Sequence, residues 1–245
     1  MKKTLVWAHR GASAYAPENT LAAFELAVQH KADGVELDVQ KTKDGTLVVI
    51  HDETLKRVSG VSGWVRDFTY EELQKLNVNR HFPQLGPQHI PTLEEVYELL
   101  LPTGLTVNVE LKTGVVFYPQ LEEQVLELTE RMGMRGRVIY SSFNHYSLQK
   151  IRQICPDAVI GVLYQDGIIG AAAYAKNMIQ ANAVHPALYN VQYPSFFEEC
   201  RRMGLGIHVW TVNEEPYLRM LCEHGVDAVI TNDTKLARAV VDEQG

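Results

Sequence analysis

Short apolar runs alternate along most of the chain with longer segments in which apolar residues recur every three or four positions. This pattern predicts strands that are each followed by a helix. About eight such units fit into 245 residues, the usual length of a (β/α)8 TIM barrel. Periodicity does not show whether a sheet closes, so an open doubly wound α/β sheet is the alternative. The strands are predicted at residues 4–8, 35–39, 105–111, 138–141, 158–162, 183–185, 206–211 and 228–231.

The alternation is interrupted at about residues 53–90, a segment rich in glycine and proline with one short predicted helix at 70–76. A strand at 47–50 comes before it and is predicted to form a hairpin with the second strand, because a glycine-containing turn joins the two. We expect one domain over residues 1–245, in which about 53–90 form a small subdomain inserted after the second strand.

Acidic residues lie on one face of two predicted strands. Glu36 and Asp38 alternate with apolar residues in the second strand, so both carboxylates project from the same face. In the third strand Asn108, Glu110 and Lys112 share a face in the same way. Neighbouring carboxylates repel each other unless a cation neutralises them. Glu36, Asp38 and Glu110 therefore form a candidate ligand set for a divalent metal ion, and oxygen ligands favour Mg²⁺ or Ca²⁺.

Histidine and arginine accompany these acids. His9 and Arg10 end the first strand, and His51 follows the hairpin. An imidazole titrates near neutral pH, so two histidines can divide the proton transfers of a hydrolysis. Arg10 and Lys112 add positive charge that attracts a phosphate group. This set of residues is typical of a metal-assisted enzyme that cleaves phosphodiesters.

A structural interpretation of the same residues stays open. In it, the three acids are buried ion-pair partners of Arg10 and Lys112, and the two histidines only satisfy hydrogen bonds.

Three later strands end in Phe143, His185 and Trp210. Active sites of TIM barrels form at the C-terminal ends of the strands, so these side chains are candidate substrate-binding residues. An aromatic ring at a strand end also serves packing, and for Trp210 and His185 both interpretations stay open. The strand at 158–162 ends without a polar residue.

The composition excludes some classes of function. A formal net charge of −7 without a lysine or arginine cluster argues against a nucleic-acid-binding protein. The three cysteines are widely spaced, which indicates reduced thiols. The sequence contains no signal-peptide core and no membrane span. We therefore expect a cytoplasmic protein without stable membrane insertion that acts on a small molecule, and the sequence does not indicate its oligomeric state.

The chain resembles the glycerophosphodiester phosphodiesterase family over nearly its whole length. The N-terminal matches have a fixed order and spacing and are highly specific, whereas the C-terminal ones alone are weak. The matching motifs are His9-Arg10-Gly11, Pro17-Glu18-Asn19-Thr20, Glu36-x-Asp38, Asp44-Gly45, His51-Asp52, Arg57, Pro91-Thr92-Leu93, Glu110-x-Lys112, Ser142-Phe143 and Trp210-Thr211-Val212-Asn213.

The resemblance implies a TIM barrel and hydrolysis of glycerophosphodiesters to sn-glycerol 3-phosphate and an alcohol. It implies that the three acids bind a divalent ion, that His9 and His51 act as base and acid in an order left open, and that Arg10 and Lys112 hold the phosphate. Attack by the glycerol 2-hydroxyl would form a cyclic phosphate. Two alternatives are a lysophospholipase D, which needs an apolar groove for an acyl chain, and a non-catalytic barrel that binds a phosphorylated ligand.

One motif departs from the family at the end of the last strand. The turn here reads Thr231-Asn232-Asp233, where many relatives have an aspartate and a proline. We expect these positions to shape the rim of the barrel and not to take part in catalysis.

Overall fold

The computed structural model describes residues 3–244, and its centre is a sheet of parallel strands that closes on itself. β1 pairs with β2 on one side, with Trp7 opposite Gly34, and with β9 on the other, with Trp7 opposite Ile230. The barrel prediction is therefore confirmed and the open-sheet alternative is wrong. The strands are β1 (Leu5–His9), β2 (Gly34–Lys41), β3 (Leu47–Val49), β4 (Thr106–Leu111), β5 (Val138–Ser142), β6 (Val159–Tyr164), β7 (Ala183–Pro186), β8 (Gly206–Val209) and β9 (Ala228–Thr231).

Within residues 3–244, every strand except β3 belongs to the closed barrel, in the order β1, β9, β8, β7, β6, β5, β4, β2. β3 pairs antiparallel with the end of β2, with Val39 opposite Val49, as the hairpin pattern predicts. The parallel order places the C-terminal ends of all barrel strands at one mouth.

Helices cover the outside of the barrel, and polar side chains fix where several of them begin. Thr20 accepts a hydrogen bond from the backbone of Ala23, and Thr92 forms a capping box with Glu95. The helices are α1 (Leu21–Gln29), α2 (Lys56–Ser59), α3 (Tyr70–Gln74), α4 (Leu93–Leu100), α5 (Leu121–Arg131), α6 (His145–Ile154), α7 (Ala171–Asn177), α8 (Phe196–Arg202), α9 (Glu215–Glu223) and α10 (Thr234–Gln244). No helix among the described residues is long and apolar enough to cross a membrane.

The observed strand bounds differ from the predicted ones by one or two residues in every strand except β9. β6 continues to Tyr164, because Tyr164 pairs with Pro186 of β7, and β8 ends at Val209. The longer β6 carries Gln165 to the mouth of the barrel, so the strand that was predicted to end without a polar residue does contribute one.

The segment after β3 has a small core of its own. It contains α2, α3 and short 3-10 turns, and its buried side chains form a cluster separate from the one between barrel and helices. On this basis we propose that residues 53–90 are an inserted subdomain of a single domain. The cluster comprises Val48, Ile50, Leu55, Val58, Val65, Leu73, Val78 and Ile90.

Candidate active site

A cavity of about 120 Å³ opens at the mouth of the barrel, formed by the C-terminal ends of its strands and the loop after β3. Seven of the residues singled out in the sequence line it, which agrees with the placement rule for TIM barrels. The lining residues are His9, Arg10, Glu36, His51, Asn108, Glu110, Phe143, Leu163, Gln165, Trp210 and Ile230.

Three buried carboxylates meet at this mouth, and two of them, Glu36 and Glu110, line the cavity. Asp38 on β2 lies directly opposite Glu110 on β4, and Glu36 projects from the same face of β2. One oxygen from each lies within 4.8 Å of the others. Asp38 accepts a hydrogen bond from Asn19 through Oδ2 at 2.8 Å, whereas its buried Oδ1 has no hydrogen-bond partner.

The electrostatics of this cluster favour a cation. Burial raises the pKa of Glu36 well above its usual value, and the charges of Asp38 and Glu110 raise it further. Burial also raises the pKa of Glu110. In Asp38 the effect of burial is outweighed by neighbouring positive charges, that of Arg10 above all, and its pKa is lowered. A hard oxygen set that includes one buried oxygen without a hydrogen bond fits a divalent ion such as Mg²⁺ or Ca²⁺.

Arg10 is held beside the acids by the turn that follows β1. Its backbone N–H donates to Glu36 at 2.9 Å, and its guanidinium donates to Glu18 at 3.0 Å. Gly11 continues the turn at φ 78°, and a Cβ there would lie 2.7 Å from atoms of Ala23. Only glycine fits this position, so the turn that presents Arg10 depends on it.

Lys112 lies among the acids and is not one of the residues that line the cavity. Its Nζ is 3.0 Å from Glu110 and 3.8 Å from Asp38. Burial works to lower its pKa, but the two carboxylates outweigh burial and raise it. Lys112 is therefore a fixed positive charge next to the ligand oxygens.

His9 is oriented by a residue at the far end of the chain. Its Nδ1 lies 2.7 Å from Oδ1 of Asn232, and its Nε2 lies 3.9 Å from Glu36. An amide oxygen only accepts, so Nδ1 carries the proton and Nε2 faces the acid cluster with a free lone pair. Burial, with the charge of Arg10, lowers the pKa of His9 to about 4. The imidazole is thus neutral at neutral pH.

His51 has a charged partner instead. Its Nδ1 lies 2.7 Å from Asp52, which accepts two hydrogen bonds from Arg57 at 2.6 and 2.9 Å. Burial opposes ionisation of Asp52, but its hydrogen bonds with Arg57 and His51 lower its pKa to about 2. The Arg57 guanidinium also donates to both oxygens of Glu18, the partner of Arg10. One arginine of the inserted segment therefore links the supports of His51 and Arg10.

An aromatic wall closes the side of the cavity formed by β5 and β8. The rings of Phe143 and Trp210 meet edge to face, with centroids 5.6 Å apart. Trp210 is fixed because its indole N–H donates to the backbone carbonyl of His185 at 2.8 Å.

His185 itself lies inside the barrel and does not reach the cavity. Its side chain has no exposed surface, and its Nε2 lies 2.8 Å from Nδ1 of His208, beside the Trp7 ring. A Cβ at Gly161 would lie 2.1 Å from this imidazole, so Gly161 makes room for it. The expectation that the His185 side chain binds substrate is not supported by this position, and we leave it out of the proposed site.

Sequence patterns missed several residues of the site. Asn108 lines the cavity, and its buried amide has no hydrogen-bond partner on either polar atom. Its position on the face of Glu110 was the available signal. Asn232, expected only to shape the rim, contacts His9 across 223 positions of sequence. That contact is made by the closure of β1 against β9.

A closed barrel with its polar groups gathered at the C-terminal mouth is the arrangement of a TIM-barrel enzyme. Residues 9–236 match the model of the glycerophosphoryl diester phosphodiesterase family. A glycerophosphodiester phosphodiesterase of Caldanaerobacter subterraneus subsp. tengcongensis is 43% identical over 244 residues, which cover 99% of this chain and 100% of that protein. A glycerophosphodiester phosphodiesterase of Bacillus altitudinis is 39% identical, covering 94% of both chains.

Solved structures agree with this relationship. The glycerophosphodiester phosphodiesterase of Agrobacterium tumefaciens has a TM-score of 0.85 at 29% identity, covering 96% of this chain and 99% of that one. A phosphodiesterase of Oleispira antarctica, solved in complex with the product sn-glycerol-3-phosphate, has a TM-score of 0.85 at 27% identity and covers 98% and 97%. The chain therefore belongs to the glycerophosphoryl diester phosphodiesterase family and is an enzyme of the phosphodiesterase class.

Proposed function

We propose that this enzyme hydrolyses glycerophosphodiesters to sn-glycerol 3-phosphate and an alcohol in a reaction that depends on a divalent metal ion. The observation that carries the proposal is the cluster of Glu36, Asp38 and Glu110, flanked by His9 and His51 at the mouth of the barrel. The product-bound relative from Oleispira antarctica supports the choice of substrate class.

Glu36, Asp38 and Glu110 are the residues that would hold the ion, Mg²⁺ or Ca²⁺. Their buried charges repel one another, and Lys112 and Arg10 offset only part of that repulsion. A bound divalent ion would complete the neutralisation and supply Lewis-acid stabilisation of negative charge on the phosphate. Arg10, which faces the cavity, would hold a phosphate oxygen, and Lys112 would add positive charge from behind the acids.

The hydrogen-bond partners of the two histidines suggest different roles. His9 is paired with a neutral amide, and its free Nε2 can accept a proton, so we assign it as the general base of the first step. His51 is paired with the Asp52 carboxylate, which stabilises an imidazolium, so we assign it as the acid that protonates the leaving alcohol.

The nucleophile of the first step is then the 2-hydroxyl of the glycerol unit. His9 removes its proton, the oxygen attacks phosphorus, and the bond to the alcohol breaks as His51 donates its proton. A cyclic phosphate remains. Water opens the ring in the second step, for which the two histidines exchange tasks and return to their starting protonation states.

The test is a substrate panel on the metal-stripped protein. Glycerophosphocholine and glycerophosphoethanolamine are incubated with Mg²⁺, Ca²⁺ or chelator, and sn-glycerol 3-phosphate is measured. We expect release with an added ion and none with chelator. Full activity in verified metal-free protein would contradict the metal dependence. No release with any ion would contradict the function itself and favour the non-catalytic alternative.

A further inference from the structure

Large apolar side chains are exposed on four consecutive loops around the mouth of the barrel. These loops follow β4, β5, β6 and β7, which are neighbours in the barrel. Ile169 is fully exposed, and Phe117 and Tyr146 are about four-fifths exposed. The exposed side chains are Val115, Phe117, Phe143, Tyr146, Ile168, Ile169, Tyr189 and Tyr193.

The same four loops are almost free of charge. Residues 113–120, 143–149, 165–174 and 187–197 cover these loops and the starts of α6, α7 and α8, and they contain a single Asp, Glu, Lys or Arg, which is Asp166. Charged residues make up 22% of the whole chain. An apolar rim with so few charges is unusual on a free protein surface and indicates that it binds something apolar.

A groove of about 460 Å³ lies within this rim, between the loop after β6 and the loop before α8. Its size falls in the range of about 300–1,000 Å³ that is common for small-molecule pockets. The two loops touch at Gly167, where a Cβ would lie 2.6 Å from the Tyr193 hydroxyl. The lining also includes one charged residue, Glu199, whose carboxylate accepts a hydrogen bond from Ser195 at 2.7 Å. The apolar lining includes Tyr164, Ile168, Ile169, Ala172, Tyr193 and Phe196.

The groove and the catalytic cavity lie on opposite sides of one stretch of chain. Leu163 and Gln165 line the cavity, and Tyr164 between them lines the groove. The side chain of Asn190, also in the groove, donates to the backbone carbonyl of Gln165 at 2.7 Å. A flexible chain attached to a substrate in the cavity would therefore only need to cross the rim at Gln165 to enter the groove.

We propose that this groove binds the acyl chain of a lysophospholipid whose phosphodiester lies in the catalytic cavity. The proposal rests on the proposed function, because it uses the same site and the same reaction. A single uncharged acyl chain matches the lack of charge in the loops, and its attachment to the phosphodiester accounts for the position of the groove beside the cavity. A 1-acyl lysophospholipid also keeps a free 2-hydroxyl, the nucleophile of the proposed first step.

The reaction would balance as a hydrolysis. For lysophosphatidylcholine, one water is consumed, the bond between phosphorus and the choline oxygen breaks, and choline leaves with a proton. The acyl glycerol phosphate that remains is lysophosphatidic acid.

The first experiment compares kcat/KM for 1-lauroyl-lysophosphatidylcholine and glycerophosphocholine in the wild type and Ile169→Ser. Ile169 has no buried side chain to lose, so the variant should fold normally. We expect kcat/KM for the lysolipid to fall about tenfold, because the chain loses apolar contact, while kcat/KM for glycerophosphocholine is unchanged. Met178→Ser, at the far end of α7 and also well exposed, is the matched control and should change neither value.

A binding measurement makes the proposal independent of turnover. Dodecylphosphocholine, kept below its critical micelle concentration, should bind the wild type and bind Ile169→Ser about tenfold more weakly. Equal binding by both proteins would overturn the groove proposal, whether or not either substrate is hydrolysed. Absence of hydrolysis of both substrates would instead overturn the proposed function.

Two further outcomes would reject the acyl chain as the occupant. Turnover of glycerophosphocholine without turnover of the lysolipid is one. The other is a wild-type dimer in sedimentation that Ile169→Ser converts to a monomer, with lysolipid kinetics unchanged, since the rim would then bind a second copy of the chain.

Discussion

The Nδ1 atom of His9 lies 2.7 Å from Oδ1 of Asn232, so the last barrel strand determines which nitrogen of the first strand's histidine faces the active site. Ser13 donates to the same amide oxygen at 2.9 Å and holds it in place. The proposed base therefore depends on a residue that is not among those lining the cavity, and this dependence can be measured.

Replacing Asn232 with alanine should lower kcat by about 10- to 100-fold, the usual effect of removing the partner that orients a functional histidine. The cause is that His9 is free to turn or to change tautomer. Asn232→Asp keeps an acceptor and should retain more activity than the alanine variant. Ser13→Ala keeps the contact between His9 and Asn232 and removes only the support of the amide oxygen, so its effect should be smaller. A kcat within twofold of wild type in Asn232→Ala would show that Asn232 does not orient His9 for catalysis.

The roles of the two histidines can be distinguished with a substrate whose leaving group needs no proton. His9→Ala and His51→Ala should each lower turnover of glycerophosphocholine by about 100- to 10,000-fold, the usual contribution of general acid–base catalysis. In a p-nitrophenyl ester of glycerol phosphate, the p-nitrophenolate leaves without protonation. This substrate should therefore restore much of the rate in His51→Ala and little in His9→Ala. Rescue of His9→Ala instead would reverse the assignment.

Arg57 offers a test of coupling between the inserted segment and the barrel. Its guanidinium donates to Glu18 and Asp52 at 2.6–2.9 Å, and a lysine cannot reproduce this fork. Arg57→Lys should lower kcat/KM by about tenfold without changing metal affinity. Arg66→Lys is the matched control in the same segment, since its pairing with Asp67 at 3.9 Å lies at the surface. Equal losses in both variants would show that only the stability of the segment was affected.

The acid cluster predicts how metal binding and stability are linked. Added Mg²⁺ or Ca²⁺ should raise the Tm of the wild type, because only the folded protein presents the three carboxylates together. In Glu36→Gln this rise should largely disappear, while the Tm without metal should stay the same or increase, because a repelling charge is gone. Glu98→Gln on the exposed face of α4 is the control and should keep the metal response. A large fall in Tm of metal-free Glu36→Gln would support the structural interpretation of the acids.

The buried side chain of His185 predicts that the folded protein loses stability as the pH falls. Burial lowers its pKa well below the ordinary 6.5, so the folded protein keeps it neutral while the unfolded chain binds a proton below that pH. Stability from this group is complete above pH 6.5 and falls as the pH decreases, by up to about 1.4 kcal/mol per pH unit. His185→Gln should therefore weaken the decline in the free energy of unfolding between pH 6.5 and 5, measured with urea. An unchanged slope would assign the acid sensitivity to other groups, such as His9.

The sequence by itself determined the class of fold and most of the candidate site. The alternation of apolar runs and amphipathic segments follows from local periodicity, which is why the observed bounds of β9 agree with the predicted ones. Glu36 and Asp38 could be assigned to one face because a strand alternates its side chains with a fixed period of two. Their chemical types and their position at a strand end then indicated the metal.

The tertiary structure decided which of these residues meet, because contacts between distant strands depend on closure and register and not on local pattern. Closure brought Asn232 to His9, and the register of β2 against β4 placed Asp38 opposite Glu110. The same packing turned the His185 side chain into the barrel interior, although its position at a strand end was right. Sequence spacing supplies the groups of this site, and the closed barrel determines their partners.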